Sequence, residues 1–69
     1  MTPLAYLRAA SEALYGPRWQ TALADDLGVS LRTVQRWAAG SHALPADVPE
    51  RLRALLEARS VRIRDLLAA

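Results

Sequence analysis

Near the middle of this 69-residue chain, Ser30, Leu31, Arg32, Gln35 and Arg36 are spaced so that one short helix would present them on a single side. Their chemistry is that of contact with base edges and phosphates. A guanidinium donates two parallel hydrogen bonds that match guanine O6 and N7, and a glutamine amide can pair with adenine N6 and N7, each good pair being worth roughly 1–3 kcal/mol of discrimination. Arg32, Gln35 and Arg36 are therefore the candidate readers, against the plainer reading of a solvated helix face. Ser30 can touch a base or a phosphate, although a role as helix N-cap explains it alone. Leu31 can meet a thymine methyl or staple the start of its helix, and both remain open. Upstream, Arg18, Gln20 and Thr21 fall where another helix should begin. The free N–H groups and positive dipole end of such a start attract phosphate. Thr33 and Ser41 are further candidate donors to the backbone of a nucleic acid.

Two short helices must hold these residues. Leu23 and Leu27 lie one turn apart, with the small Ala24 beside them, so a second helix can cross closely. Gly28 ends that helix because a C′ residue commonly takes a left-handed conformation. Ser30 is expected to cap the next helix, its hydroxyl reaching the amide of Arg32 or Thr33. Val34 and Trp37 then face back onto Leu23 and Leu27. Residues 20 to 39 thus read as a helix-turn-helix.

That segment resembles the DNA-binding helix-turn-helix of the phage repressor and Cro family, with acceptable residues at Ala24, Gly28, Val29, Val34 and Trp37. The run RTVQRWAAG is similar to the recognition helix and following turn of many small bacterial and phage regulators. The resemblance implies that Gln20 contacts the DNA backbone, and it implies a regulator from a phage, mobile element or accessory locus. Leu31 departs from the family, which often carries a polar reader there.

Composition sets bounds on this reading. A chain of 69 residues makes one domain, residues 1 to 69, and so small a domain is marginally stable without staples or association. It has no cysteine and a single histidine, which removes disulfides and zinc. Association is the remaining route to added stability. Hydrophobic residues make up 52%, enough for a folded core, and the net charge is only +2, but every basic residue is arginine. No apolar run approaches the roughly 18 residues needed to span a bilayer, and no signal-peptide pattern opens the chain, so a cytoplasmic protein is expected.

The flanking segments supply a scaffold. Thr2 and Pro3 are expected to open a first helix running to about Leu14, with Leu4, Leu7 and Leu14 on one face and Arg8 and Glu12 outside. Tyr15 and Trp19 should pack between the first two helices, and the second should begin near Pro17 or Arg18. Asp25 and Asp26 should face away from any DNA. Leu44 anchors the loop after Gly40, in which His42 is an ordinary residue. Asp47 reads as an N-cap with Glu50 three residues on. From about residue 48 to 68, Leu52, Leu55, Leu56, Ile63, Leu66 and Leu67 form a helical stripe interrupted by Arg59. Either the helix breaks near Arg59 and Ser60, or it continues, straight or slightly bent. The lack of Gly or Pro after Pro49 favours continuity. Arg51, Arg53, Arg59, Arg62 and Arg64 alternate with acids, as on a solvated face or in interchain pairs.

The expected fold is all-α, a compact four- to five-helix helix-turn-helix domain with a long C-terminal helix. Ile63, Leu66 and Leu67 outrun its core and call for a second chain, which predicts a homodimer. The expected function is a sequence-specific regulator of transcription, a dimeric repressor on double-stranded DNA with an inverted-repeat operator. The alternative is a protein-interaction helix-turn-helix module of antitoxin or phage-packaging type. An enzyme is not expected, since no nucleophile with a base, carboxylate pair or phosphate loop is present. No cofactor, metal, membrane or small-molecule ligand is implied.

Overall fold

Four runs of the chain become helical, and most of their ends sit at residues that favour stopping or starting there. A computed structural model describes all 69 residues as α1 (Pro3–Tyr15), α2 (Trp19–Leu27), α3 (Leu31–Ala38) and α4 (Asp47–Ala68), with no strand. Thr2 caps α1, its Oγ1 accepting from the Ala5 amide at 3.1 Å, and Pro3 takes the first helical position. Ser30 does the same for α3, accepting from the Thr33 amide at 3.1 Å. At the end of α2, Gly28 has φ +71°, and the amides of Gly28 and Val29 return to the carbonyls of Asp25 (3.3 Å) and Ala24 (3.0 Å). That pair of bonds satisfies two carbonyls the helix would otherwise leave open. Gly40 and Ser41 repeat the arrangement after α3, donating to Trp37 and Arg36.

Two starts differ from expectation. α2 begins at Trp19, with Arg18 at its cap and no side-chain bond there. Asp47 is not an N-cap: the cap position falls to Ala46, no side chain closes it, and Asp47 and Glu50 lie inside the first turn, where their charge meets the helix dipole.

The hub is α1, which packs on all three other helices, while α2 and α3 pack on each other and α4 lies along α1. Leu7, Ala10 and Leu14 of α1 meet Trp19, Leu23, Ala24 and Leu27 of α2, and Val34, Trp37 and Ala38 of α3. Only Val48 and Leu52 of α4 are buried, with Leu55 and Leu56 half-covered. Leu44 anchors the loop before α4 against the same core. Ser11 is the one polar side chain in that core, fully buried and with no hydrogen-bond partner for its hydroxyl, a cost the apolar packing must offset.

α4 continues unbroken through Arg59 and Ser60, so there is no fifth helix. Its 22 residues extend for about 33 Å, and the molecule measures 44 × 22 × 19 Å. No helix is long and apolar enough to cross a membrane.

Three arginines tie the helices together at their C-terminal ends. Arg59 donates to the Leu14 carbonyl at 2.9 Å, Arg51 to the Leu27 carbonyl at 3.2 Å and Arg8 to the Ala38 carbonyl. These carbonyls close α1, α2 and α3, whose partial negative charge a cation complements. For Arg8, Arg51 and Arg59 the expectation of a solvated outer face or interchain pairs is thus corrected: each reaches a carbonyl of its own chain, and for Arg59 and Arg51 the helix ends they meet, those of α1 and α2, hold no basic residue of their own.

Tyr15 and Asp26 add a tie between α1 and α2, the phenol donating to the carboxylate. Burial first, then the hydrogen bond and the charge of Asp26, push the Tyr15 pKa from 10.0 up to about 12, opposed by Arg59. The folded state therefore favours the neutral phenol. Its contribution is complete below the ordinary tyrosine pKa and is lost as pH rises through about 12.

Two outcomes are expected. Gly28→Ala should cost about 1 kcal/mol in chemical denaturation, because nothing crowds an added Cβ and the left-handed backbone alone opposes it; unchanged stability would mean that the corner between α2 and α3 is not strained in this way. In an ultraviolet titration, one tyrosine should ionise near pH 12 and that late step should vanish in Tyr15→Phe; a late step surviving the substitution would refute the bond to Asp26.

Candidate nucleic-acid interface

α3 is the most sharply two-sided of the four helices. Val34 and Trp37 are buried on one side, while Leu31, Arg32, Gln35 and Arg36 are exposed on the other. The sorting follows from spacing: Trp37 lies three positions after Val34 and Arg36 four positions after Arg32, so each pair lines one face. The two-carbonyl turn at Gly28 sets the angle at which α3 leaves α2. Val29 packs half-buried against the core just before the Ser30 cap, and Val34 lies fully buried four residues after it, the two positions of a hydrophobic staple. α3 is thereby held at both its N-terminal end and its middle.

Five of the residues singled out from sequence meet at one place. Arg18, Gln20 and Thr21 from the start of α2, with Leu31 and Gln35 from α3 and with Pro17, line an open depression of about 430 Å³. Pro17 was not singled out; its position immediately before a helix start was the signal available. The amides of Trp19, Gln20 and Thr21 have no acceptor within the chain, and Arg18 supplies no capping bond. Gln20 and Thr21 line the depression, where an anion would find free N–H groups and the positive end of α2.

Arg32 and Arg36 do not line the depression but stand exposed on the same helix, and with Arg18 they form no hydrogen bond within the chain. Arg8, Arg51 and Arg59, by contrast, are engaged. Neither Asp25 nor Asp26 reaches the depression, and Asp26 is held by Tyr15. The local field is therefore set by arginine despite the small net charge.

Ser30 and Thr33 are less free than Arg32 and Arg36. Their hydroxyls lie 2.9 Å apart and share a hydrogen bond, and the Ser30 oxygen also accepts the Thr33 amide. The capping role accounts for Ser30 as it stands. Ser41 lies beyond Gly40 at the far end of α3, exposed, its amide closing the turn onto Arg36. Trp19 is buried and contributes to the core alone, and the Tyr15 hydroxyl is occupied by Asp26. Ile63, Leu66 and Leu67 are 50%, 65% and 80% exposed on the distal part of α4, well removed from α3.

No family model, curated protein or solved structure matches the chain.

Proposed function

We propose that the chain is a sequence-specific DNA-binding protein of helix-turn-helix type, resembling the phage repressor and Cro family, and that it regulates transcription as a dimeric repressor. One observation carries the reading: α3 presents Arg32, Gln35 and Arg36 on an open ridge with no partner in the chain, beside an α2 start whose amides are free. Such a ridge has the width to enter a major groove, where guanidinium and carboxamide groups have matching base-edge partners. Arg18, Gln20 and Thr21 then hold the sugar-phosphate backbone and fix the register, and Ser41 adds a contact at the other end of α3. Ser30 and Leu31 lie at the end of α3 that would go deepest.

Three arginines per subunit on this side provide a modest electrostatic attraction, so one subunit binds weakly. Two copies on inverted half-sites about one DNA turn apart, roughly 34 Å, add their contacts. The distal face of α4 supports the dimer. Ile63, Leu66 and Leu67 continue the stripe that Val48, Leu52 and Leu56 begin, but α1 ends at Tyr15 and leaves them without cover. A DNA-bound dimer of this kind represses by occupying a promoter. The same apolar stripe also favours a second reading, a protein-interaction module whose partner is another chain. Duplex selection separates the two, since the module would enrich no sequence at low salt.

With a selected duplex, Arg32→Ala should weaken binding by roughly 1–3 kcal/mol and relax preference at one base pair, whereas Gln20→Ala should weaken all sequences alike. Unaltered specific affinity in Arg32→Ala would remove α3 from the groove. Replacing Leu66 and Leu67 with glutamate should convert a dimer to monomers in sedimentation; a wild-type protein that is already monomeric at working concentrations rejects the interface.

A further inference from the structure

Leu31 is out of place as a core residue and out of place as a surface one. It is 39% exposed and is the only large hydrophobic side chain exposed outside the N-terminal Met1 and the distal part of α4. It is not needed to staple its helix, because Val29 and Val34 already occupy the two staple positions. Instead it lines the depression with Pro17, Arg18, Gln20, Thr21 and Gln35, and together with the Pro17 ring it supplies the apolar part of that lining.

We propose that this depression is a receptor for the C5-methyl group of a pyrimidine in duplex DNA, with Leu31 as the residue that reads it. The inference rests on the DNA-binding reading above and specifies what the α2–α3 corner selects. In the major groove the C5-methyl group is the apolar feature of a base-pair edge, surrounded by hydrogen-bonding groups. The depression has the complementary layout. Leu31 offers the apolar contact, and Gln35, one helical turn on, offers an amide that can pair with the adenine opposite a thymine. Arg18 and the free amides at the start of α2 lie where a neighbouring phosphate would sit, and no carboxylate lines the site. Thymine and 5-methylcytosine carry the same methyl group, so both satisfy the apolar contact, whereas uracil and unmodified cytosine leave Leu31 facing water.

The test starts from the duplex that the full chain enriches from a random-sequence library. Thymines of that duplex are replaced one at a time by deoxyuridine, and at the identified position cytosine is compared with 5-methylcytosine. At one position per half-site, removal of the methyl should weaken binding about fourfold or more, the effect of one buried methylene. 5-Methylcytosine should bind better than cytosine by a similar factor, and Leu31→Ala should bring both ratios close to one, its affinity for the thymine duplex falling toward that for the uracil duplex. Equal affinity of the wild-type protein for thymine and uracil at every position overturns the methyl receptor but leaves DNA binding intact. A preference that survives Leu31→Ala reassigns the contact and overturns the role of Leu31. A library with no enriched duplex would overturn the DNA-binding reading and this inference together.

Discussion

Helices that stop inside a small protein leave carbonyl groups pointing past their last turn, and most of this structure is a response to that requirement. Three helices end within the first 40 residues. Two are closed by a left-handed glycine whose own amide, with that of the following residue, turns back onto the helix. All three also receive an arginine from elsewhere: Arg59 on α1, Arg51 on α2 and Arg8 on α3. A charge-assisted hydrogen bond to a carbonyl at the negative end of a helix is stronger than one between neutral groups. Here it also fixes one helix against another, which a domain with twelve buried hydrophobic residues needs more than a large one would.

This use of arginine divides the cations of the chain by job. Residues that look alike in a composition count serve different purposes. Arg8, Arg51 and Arg59 are structural ties, whereas Arg18, Arg32 and Arg36 are left without intrachain partners on the side where α2 begins and α3 is exposed. A net charge of +2 therefore understates the field at that side and overstates it elsewhere. The two aspartates of α2 add nothing to the depression there, Asp26 being drawn toward α1 by Tyr15.

α4 shows how one helix serves two ends of a molecule. Its first half buries Val48 and Leu52 against the hub, and Arg51 and Arg59 secure α2 and α1. Beyond Arg59 nothing else in the chain is long enough to follow it. The apolar period continues for two more turns regardless, and that surplus is the physical basis for the proposed dimer.

Much of this was legible in the residues. The four helical runs, the caps at Thr2 and Ser30, the turn at Gly28 and the outward set of Arg32, Gln35 and Arg36 follow from local rules, because a cap or a helical period involves residues within a few positions of one another. The continuity of α4 followed from the absence of any glycine or proline after Pro49. The last helix starts at Asp47 itself, one residue before the start that an Asp47 cap predicts, with Ala46 at the cap position and no side-chain bond there. What the sequence could not supply was every pairing between distant residues. Arg59 with Leu14, Arg51 with Leu27 and Tyr15 with Asp26 depend on how helices cross, as does the meeting of Arg18, Gln20 and Thr21 with Leu31 and Gln35 at one depression. Periodicity tells which face of a helix is apolar; only packing in three dimensions decides what that face, and the charged one behind it, will touch.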